Sequence, residues 1–265
     1  MNIGIFDSGI GGVTLLHQAL ESLPNEKYLF YADTDNVPYG TKSREQVVEL
    51  VDNVMRFMTR QGCKAVVIAC NTATAAAADV MRQKYEMPII GIEPAIKPAV
   101  AQSRGKRVLV AATPLTVREE KLKNLVKRVD DEHLVDLIAL PGLVEFAERG
   151  EFASEAVERY LLSAFSGYAL EKYGELVLGC THFNYFKDSF RKIIPAQVSM
   201  IDGSEGTIKQ LARVLESGKR TGAPQKDKND TRVRYFRSGR EITDADGLAY
   251  MKMLHDRLER MKHIQ

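Results

Sequence analysis

Short runs rich in Val, Ile and Leu, each followed by an amphipathic stretch, recur along this chain, and no other feature restricts its fold so tightly. "NIGIF" precedes "GVTLLHQALESL", "KYLFYA" precedes "SREQVVELVDNVMRFMTRQG", and "KAVVIAC" leads into "TATAAAADVMRQKY" before "PIIGI". Strands that are apolar on both sides need cover on both faces, which βαβ units around a parallel sheet provide. A crossover with two prolines, "EPAIKPAVAQSRG", interrupts the series. It then restarts as "KRVLVAAT", "LTVREEKLKNLVKRV", "LVDLIAL", "ASEAVERYLLSAFSGYALEKY" and "ELVLGC". The second half repeats the organisation of the first without its letters. After the polar stretch "SGKRTGAPQKDKNDTR", expected to be a flexible surface loop, "VRYF" and the helix "GLAYMKMLHDRLERM" can rejoin the first half.

The chain of 265 residues is long enough for two domains. Its 37 basic and 35 acidic side chains are mixed along the chain and leave a net charge of +2, with no footprint for nucleic acid or a membrane surface. No apolar run approaches the ~18 residues of a spanning helix, and "MNIGIF" lacks a signal peptide's basic start. Three cysteines, odd in number and far apart, suit free thiols in a reducing cytosol. Cys63 reads as a small buried hydrophobe.

Two strands end on matching phrases. "VIACNTATA" centres on Cys70 and "LVLGCTHFN" on Cys180, each an apolar run, a small residue, the thiol and then a threonine within the next two positions. Ligands of open parallel sheets bind beyond the carboxyl ends of the strands, and the unusual residues collect there. Asp7 and Ser8 end the first strand; Pro38, Tyr39 and Gly40 close the loop after the second. Asn71 and Thr72 follow Cys70, Thr113 and Thr116 follow "VLVAA", and Thr181 and His182 follow Cys180.

Each of these has a plainer role. Gly9, Gly11 and Thr14 do not complete G-x-G-x-x-G, and the glycines suit a tight turn. Asp7 or Ser8 suits a helix N-cap. "DTDN" lacks the rest of a calcium loop. His17, His133, His255 and His263 lie in helical or polar stretches and read as surface or core residues.

For the paired cysteines three readings stand. As small buried residues they leave their matched polar neighbours unexplained. Around zinc they would join His182, although Cys-x-His is a tighter spacing than zinc sites use. As an acid–base pair, one thiol would stand on each side of a substrate, and this is the reading the residues favour. A thiol titrates near ~8.5, and a strand-to-helix junction sets the sulfur beside unpaired backbone N–H groups that favour the thiolate. Asp7 can then take or hold the proton of Cys70, and His182 that of Cys180. Two such bases on opposite faces of one carbon would invert it.

Together "GIFDSGIGG", "VPYG", "ACNTATA" and "LGCTHF" resemble the cofactor-independent glutamate racemases of the aspartate/glutamate racemase family, over residues 1 to about 207. The resemblance implies two similar parallel-sheet α/β domains facing each other across an active-site cleft, one formed by 1–95 with 206–265 and the other by 96–205. It implies interconversion of L- and D-glutamate for peptidoglycan synthesis by a cytoplasmic homodimer, without metal, flavin or pyridoxal phosphate. Cys70 would face D-glutamate and Cys180 L-glutamate, assisted by Asp7 and His182. Asp7, Ser8, Tyr39, Gly40, Asn71, Thr72, Thr113, Thr116, Thr181 and His182 match substrate-binding positions.

The chain also departs from the family pattern. Asn184 stands where a proline often follows the aromatic of the second cysteine motif, and "LIALPGLVEFAERG" lacks a Cys-Pro pair before the helix with Glu145 and Glu148, whose auxiliary role is weakly supported. Met1 opens directly into the first strand, so no regulatory N-terminal extension is expected. The alternatives are a related enzyme acting on another amino acid or small acid, and a non-catalytic amino-acid-binding protein. Retention of both thiols argues against the second.

Overall fold

A computed structural model describes residues 1–218 and 232–264. Apart from its ends, the expected surface loop at 217–232 lies outside the described residues. Among these, ten strands form two sheets: β1 (Ile3–Asp7), β2 (Tyr28–Ala32), β3 (Ala65–Ile68), β4 (Ile89–Gly91), β5 (Arg107–Ala112), β6 (Val135–Ala139), β7 (Tyr173–Leu178), β8 (Ser199–Asp202), β9 (Val233–Arg237) and β10 (Arg240–Glu241). The first sheet has the order β10-β9-β2-β1-β3-β4 and is parallel except at β9–β10; the second, β6-β5-β7-β8, is parallel throughout.

Alternation along the strands assigns the faces of the first sheet. Ile3, Ile5, Phe30 and Val67 pack with Leu15, Leu16, Leu211 and Leu254 from the helices Val13–Ser22, Ser204–Ser217 and Ala245–Met261. The intervening Phe6, Leu29, Val66 and Ile68 pack instead with Val47, Val51, Met55 and Ala77 from the helices Arg44–Arg60 and Asn71–Lys84. Each such large apolar side chain is worth about 1.5–3 kcal/mol when fully buried. Because the helix Asn71–Lys84 is rich in alanine, it can lie close against the helix Arg44–Arg60. A capping box at Ser43 and Gln46 starts that longer helix.

The C-terminal segment completes the first unit. β9 pairs in parallel with β2 from Tyr28↔Val233 to Ala32↔Arg237, and the helix Ala245–Met261 packs on Val13–Ser22. The chain therefore forms two α/β units, the first closed by its own C-terminus.

Each sheet reverses its winding once. From β1 the chain moves outward to β2 on one side, while β3 and β4 build the other; from β5 it moves to β6, while β7 and β8 build the other side. The crevices at these reversals, β1/β3 and β5/β7, are where such sheets bind ligands. Asp7 ends β1, Cys70 follows β3, Thr113 follows β5 and Cys180 follows β7.

Three local differences from the sequence reading stand out. The helix expected over 115–129 is two helices, Pro114–Arg118 and Glu120–Val129, parted at Glu119, whose ψ of 134° is extended. β8 ("SMID") and the two-residue β10 ("RE") lack the apolar run that marks β3 and β4 in the sequence.

Candidate active site

On the first unit, Cys70 caps the helix Asn71–Lys84 and its Sγ accepts from the Ala73 N–H at 3.4 Å. Ser8 Oγ lies 3.6 Å from the same sulfur and donates to Asp7 Oδ1 at 3.1 Å. Asp7 thus reaches Cys70 through Ser8. The helix N-terminus was expected to favour the thiolate, but burial dominates: it pushes the Cys70 thiol up to about 12, and the Asp7 carboxyl adds to the shift. Asp7 is itself fully buried, and burial raises it above the usual carboxylate range against the opposing pull of His182 and of hydrogen bonds from Thr181, Gly9 and Ser8.

Cys180 is built differently. It precedes the short 3-10 helix Thr181–Phe186 and makes no cap bond to it; its sulfur lies 3.7 Å from His182 Nδ1. His182 Nε2 is 2.7 Å from Glu148 Oε1, which also accepts from the Ile10 N–H at 2.8 Å. Burial alone would lower the imidazole. The bonds to Cys180 and Glu148 outweigh burial and hold it well above the ordinary histidine range. Cys180, His182 and Glu148 form a relay in which a proton leaving the thiol finds an acceptor backed by a carboxylate.

Thr181 fastens the two units together. Its hydroxyl donates to Asp7 Oδ2 at 2.7 Å, and its carbonyl accepts from Thr14 Oγ1 at 3.1 Å. Gly9 and Gly11 serve this junction rather than a tight turn. A Cβ on Gly9 would fall 1.9 Å from Glu148 Oε1, and one on Gly11 would fall 2.5 Å from His182 Nδ1. Neither glycine has a positive φ among the described residues, so close approach is what demands them.

Three hydroxyls close the opposite wall. Thr72 Oγ1 lies 2.8 Å from Thr113 Oγ1 and 3.2 Å from Thr116 Oγ1, and the last two are 3.0 Å apart. Thr116 stands behind the other two rather than on the pocket surface. Every other expected site residue lines one cavity: Asp7, Ser8, Tyr39, Gly40, Cys70, Asn71, Thr72, Thr113, Cys180, Thr181 and His182. Asn71 Oδ1 is buried there without a hydrogen-bond partner, an acceptor suited to a substrate's ammonium group. The cavity measures about 20 Å³, little more than one water's worth. Admitting an amino acid therefore requires more room than this arrangement provides.

Two carboxylates support the site from behind. Glu148, for which the sequence offered only a weak auxiliary role beside Glu145, backs His182. Asp33, in the stretch that resembled a broken calcium loop, accepts from Tyr39 Oη at 2.6 Å, from Asn36 Nδ2 at 3.1 Å and from Ser238 Oγ at 3.1 Å. Neither departure from the family pattern disturbs the pocket. Asn184 lines a separate recess with Thr14 and Lys187, and Leu140, before Pro141, is fully buried in the core. Among the described residues, the three His, Cys, Asp or Glu ligand atoms lying within 4.8 Å of one another are those of His17, Glu21 and Glu259, so Cys70, Cys180 and His182 do not form such a group.

Residues 9–211 match the model of the family described as Asp/Glu/Hydantoin racemase. The chain is 51% identical over 268 residues to a glutamate racemase of Lachnospira eligens, covering 100% of both chains. It is 49% identical over 261 residues to glutamate racemase 2 of Bacillus subtilis, covering 98% of this chain and 97% of that one. A crystal structure of Francisella tularensis glutamate racemase in complex with D-glutamate superposes with a TM-score of 0.79 at 28% identity, over 96% of this chain and 93% of that one. The Escherichia coli glutamate racemase in complex with L-glutamate and the activator UDP-MurNAc-Ala gives 0.80 at 28% identity, over 97% and 95%.

Proposed function

The chain belongs to the Asp/Glu/hydantoin racemase family, and on that premise we propose that it interconverts L- and D-glutamate by proton transfer between two thiols. The observation that carries this reading is the placing of Cys70 and Cys180 at the equivalent switch points of two sheets, lining one cavity, each with its own polar support.

From L-glutamate, the proton of the Cys180–His182 pair rests on His182, whose imidazolium Glu148 steadies, so that Cys180 acts as the thiolate. The Cys180 thiolate removes the Cα proton. Cys70, kept protonated by burial, delivers its proton to the opposite face of the carbanion and becomes the thiolate. D-glutamate leaves, and Cys180 gives up a proton to water while Cys70 regains one. The reverse direction begins at Cys70, with Asp7 acting through Ser8. Asn71 receives the substrate ammonium, while Thr72, Thr113 and Thr181, with Tyr39 and the Gly40 backbone, hold its carboxylates; Thr116 supports the first two threonines. Every acid and base in these steps is a group of this chain, and no cofactor enters the reaction.

Residues 1–95 with 206–265 are taken as one domain and 96–205 as the other, a division supported by the two separate sheets. The family resemblance supports a homodimer that supplies D-glutamate for peptidoglycan. Three free cysteines and the lack, among the described residues, of a helix long and apolar enough to cross a membrane are compatible with work in the cytoplasm. Chiral chromatography of L-glutamate incubated with purified protein and no added cofactor should show D-glutamate rising towards equality. Absence of D-glutamate, with conversion of another L-amino acid, would transfer the activity to that substrate.

A further inference from the structure

Outside the pocket lining, the helices Val13–Ser22 and Ala245–Met261 pack side by side, and each presents a His and a Glu four residues apart, His17 with Glu21 and His255 with Glu259. Four-residue spacing stacks both pairs on one face of their helix. His17 is the centre of the group. Its Nδ1 lies 3.0 Å from His255 Nδ1 and its Nε2 2.9 Å from Glu259 Oε2, while His255 Nε2 lies 3.2 Å from Tyr235 Oη. We propose that His17, Glu21 and Glu259 form a binding site for a divalent transition metal such as zinc, with His255 as its supporting residue, linking the first helix to the C-terminal one.

Three observations converge on this. Ligand atoms of His17, Glu21 and Glu259 already lie within 4.8 Å of one another. Tetrahedral zinc with bonds of about 2.0–2.2 Å needs them about 3.4 Å apart, a side-chain adjustment for two exposed glutamates. The hydrogen-bond chain also has two arrangements. In one, the Tyr235 hydroxyl donates to His255, His255 to His17 Nδ1, and His17 Nε2–H to Glu259. In the other, His17 donates through Nδ1 to His255 and His255 donates to the tyrosine oxygen, leaving His17 Nε2 as a bare lone pair facing the glutamates. Metal-bound histidines adopt the second form, with their remaining N–H given to an acceptor that fixes the ring.

Finally, the place is made for a cation. Lys262 Nζ bonds Glu21 Oε1 and stands 3.4 Å from Glu259 Oε2, so the carboxylates already share one positive group. A divalent ion would displace it, and Lys262 is the built-in competitor.

Zinc also binds thiolates, so the test uses full-length protein carrying Cys70→Ala and Cys180→Ala. Calorimetric titration with zinc at pH 7 should give one equivalent bound, accompanied by a zinc-dependent rise in Tm. His17→Gln should abolish that binding. His255→Gln should weaken it by about tenfold or more. Lys262→Met, which removes the competitor, should tighten it. The opposite sign for Lys262→Met guards against variants that merely disturb the helices, and circular dichroism checks their folding. No uptake at millimolar zinc, binding retained in His17→Gln, or weaker binding in Lys262→Met would each overturn the site.

Discussion

The Cys70 and Cys180 sides of the cavity occupy equivalent places in two similar sheets, yet they handle protons differently. Cys70 is a helix cap held by a backbone N–H and a serine hydroxyl, with a buried carboxyl one step behind. Cys180 makes no cap bond and leans on an imidazole backed by a glutamate. One side stores a proton; the other has somewhere to send it. A symmetric frame therefore does not require symmetric chemistry, because the two enantiomers meet the enzyme from different faces and each face needs only a working acid or base.

Removing either thiol should erase the comparison. Cys70→Ser and Cys180→Ser should each lower racemisation by about 10³-fold or more in both directions, since a hydroxyl is a far weaker acid near neutral pH. Near-normal turnover by either variant, followed by circular dichroism, would contradict the pairing. The next effect sharpens the difference between the sides. Glu148→Gln loses the charge that supports His182, a charge-assisted bond worth about 1.5–3 kcal/mol, or roughly ten- to a hundredfold in rate. Gly9→Ala should act in the same direction, because its Cβ would fall on Glu148 Oε1. The deficit should appear in kcat with L-glutamate. A change confined to KM would give Glu148 a role in binding instead.

A smaller effect concerns the ground state. With Cys63 and Cys180 replaced by alanine, the 240 nm absorbance of the remaining Cys70 thiolate should stay absent through neutrality and emerge only towards about 12. Burial leaves the native thiol protonated while an unfolded one ionises near 8.5. That pKa is raised on folding, so the native state holds more protons than the unfolded one above this pH, and stability should fall as pH rises from about 8.5 towards 12. A thiolate signal at pH 7–8 would mean that the helix N-terminus outweighs burial. Cys63→Ser should leave activity unchanged within about twofold, since Cys63 precedes β3 and packs against Met58, away from the cavity.

How much of this was legible in the sequence depends on the range over which its causes act. Apolar runs such as "AVVI" declare buried parallel strands within a few residues, and the polar residues after them mark strand ends, so Cys70, Asn71, Cys180 and His182 were found together. Contacts between residues far apart in the chain leave no local trace. Glu148 meets His182 across 34 residues and Ile10 across 138. Gly9 and Gly11 looked like turn residues because the atoms that forbid their side chains belong to the other unit. His17 and His255, 238 residues apart, looked incidental in their own helices. The balance at Cys70 is hidden from the sequence for a related reason. The N-cap position is visible in sequence, whereas the depth of burial that reverses its effect emerges only when both sheets close around it.

The two-sided mechanism is tested most directly by isotope uptake. In D₂O, D-glutamate formed from L-glutamate should carry deuterium at Cα from the earliest times, because the Cys70 thiol that delivers it has exchanged with solvent. The remaining L-glutamate should stay almost unlabelled over the same interval, since Cys180 only removes its proton. Early deuterium in unreacted L-glutamate, or D-glutamate formed with its original proton, would mean that one base serves both faces and would contradict the division of labour between Cys70 and Cys180.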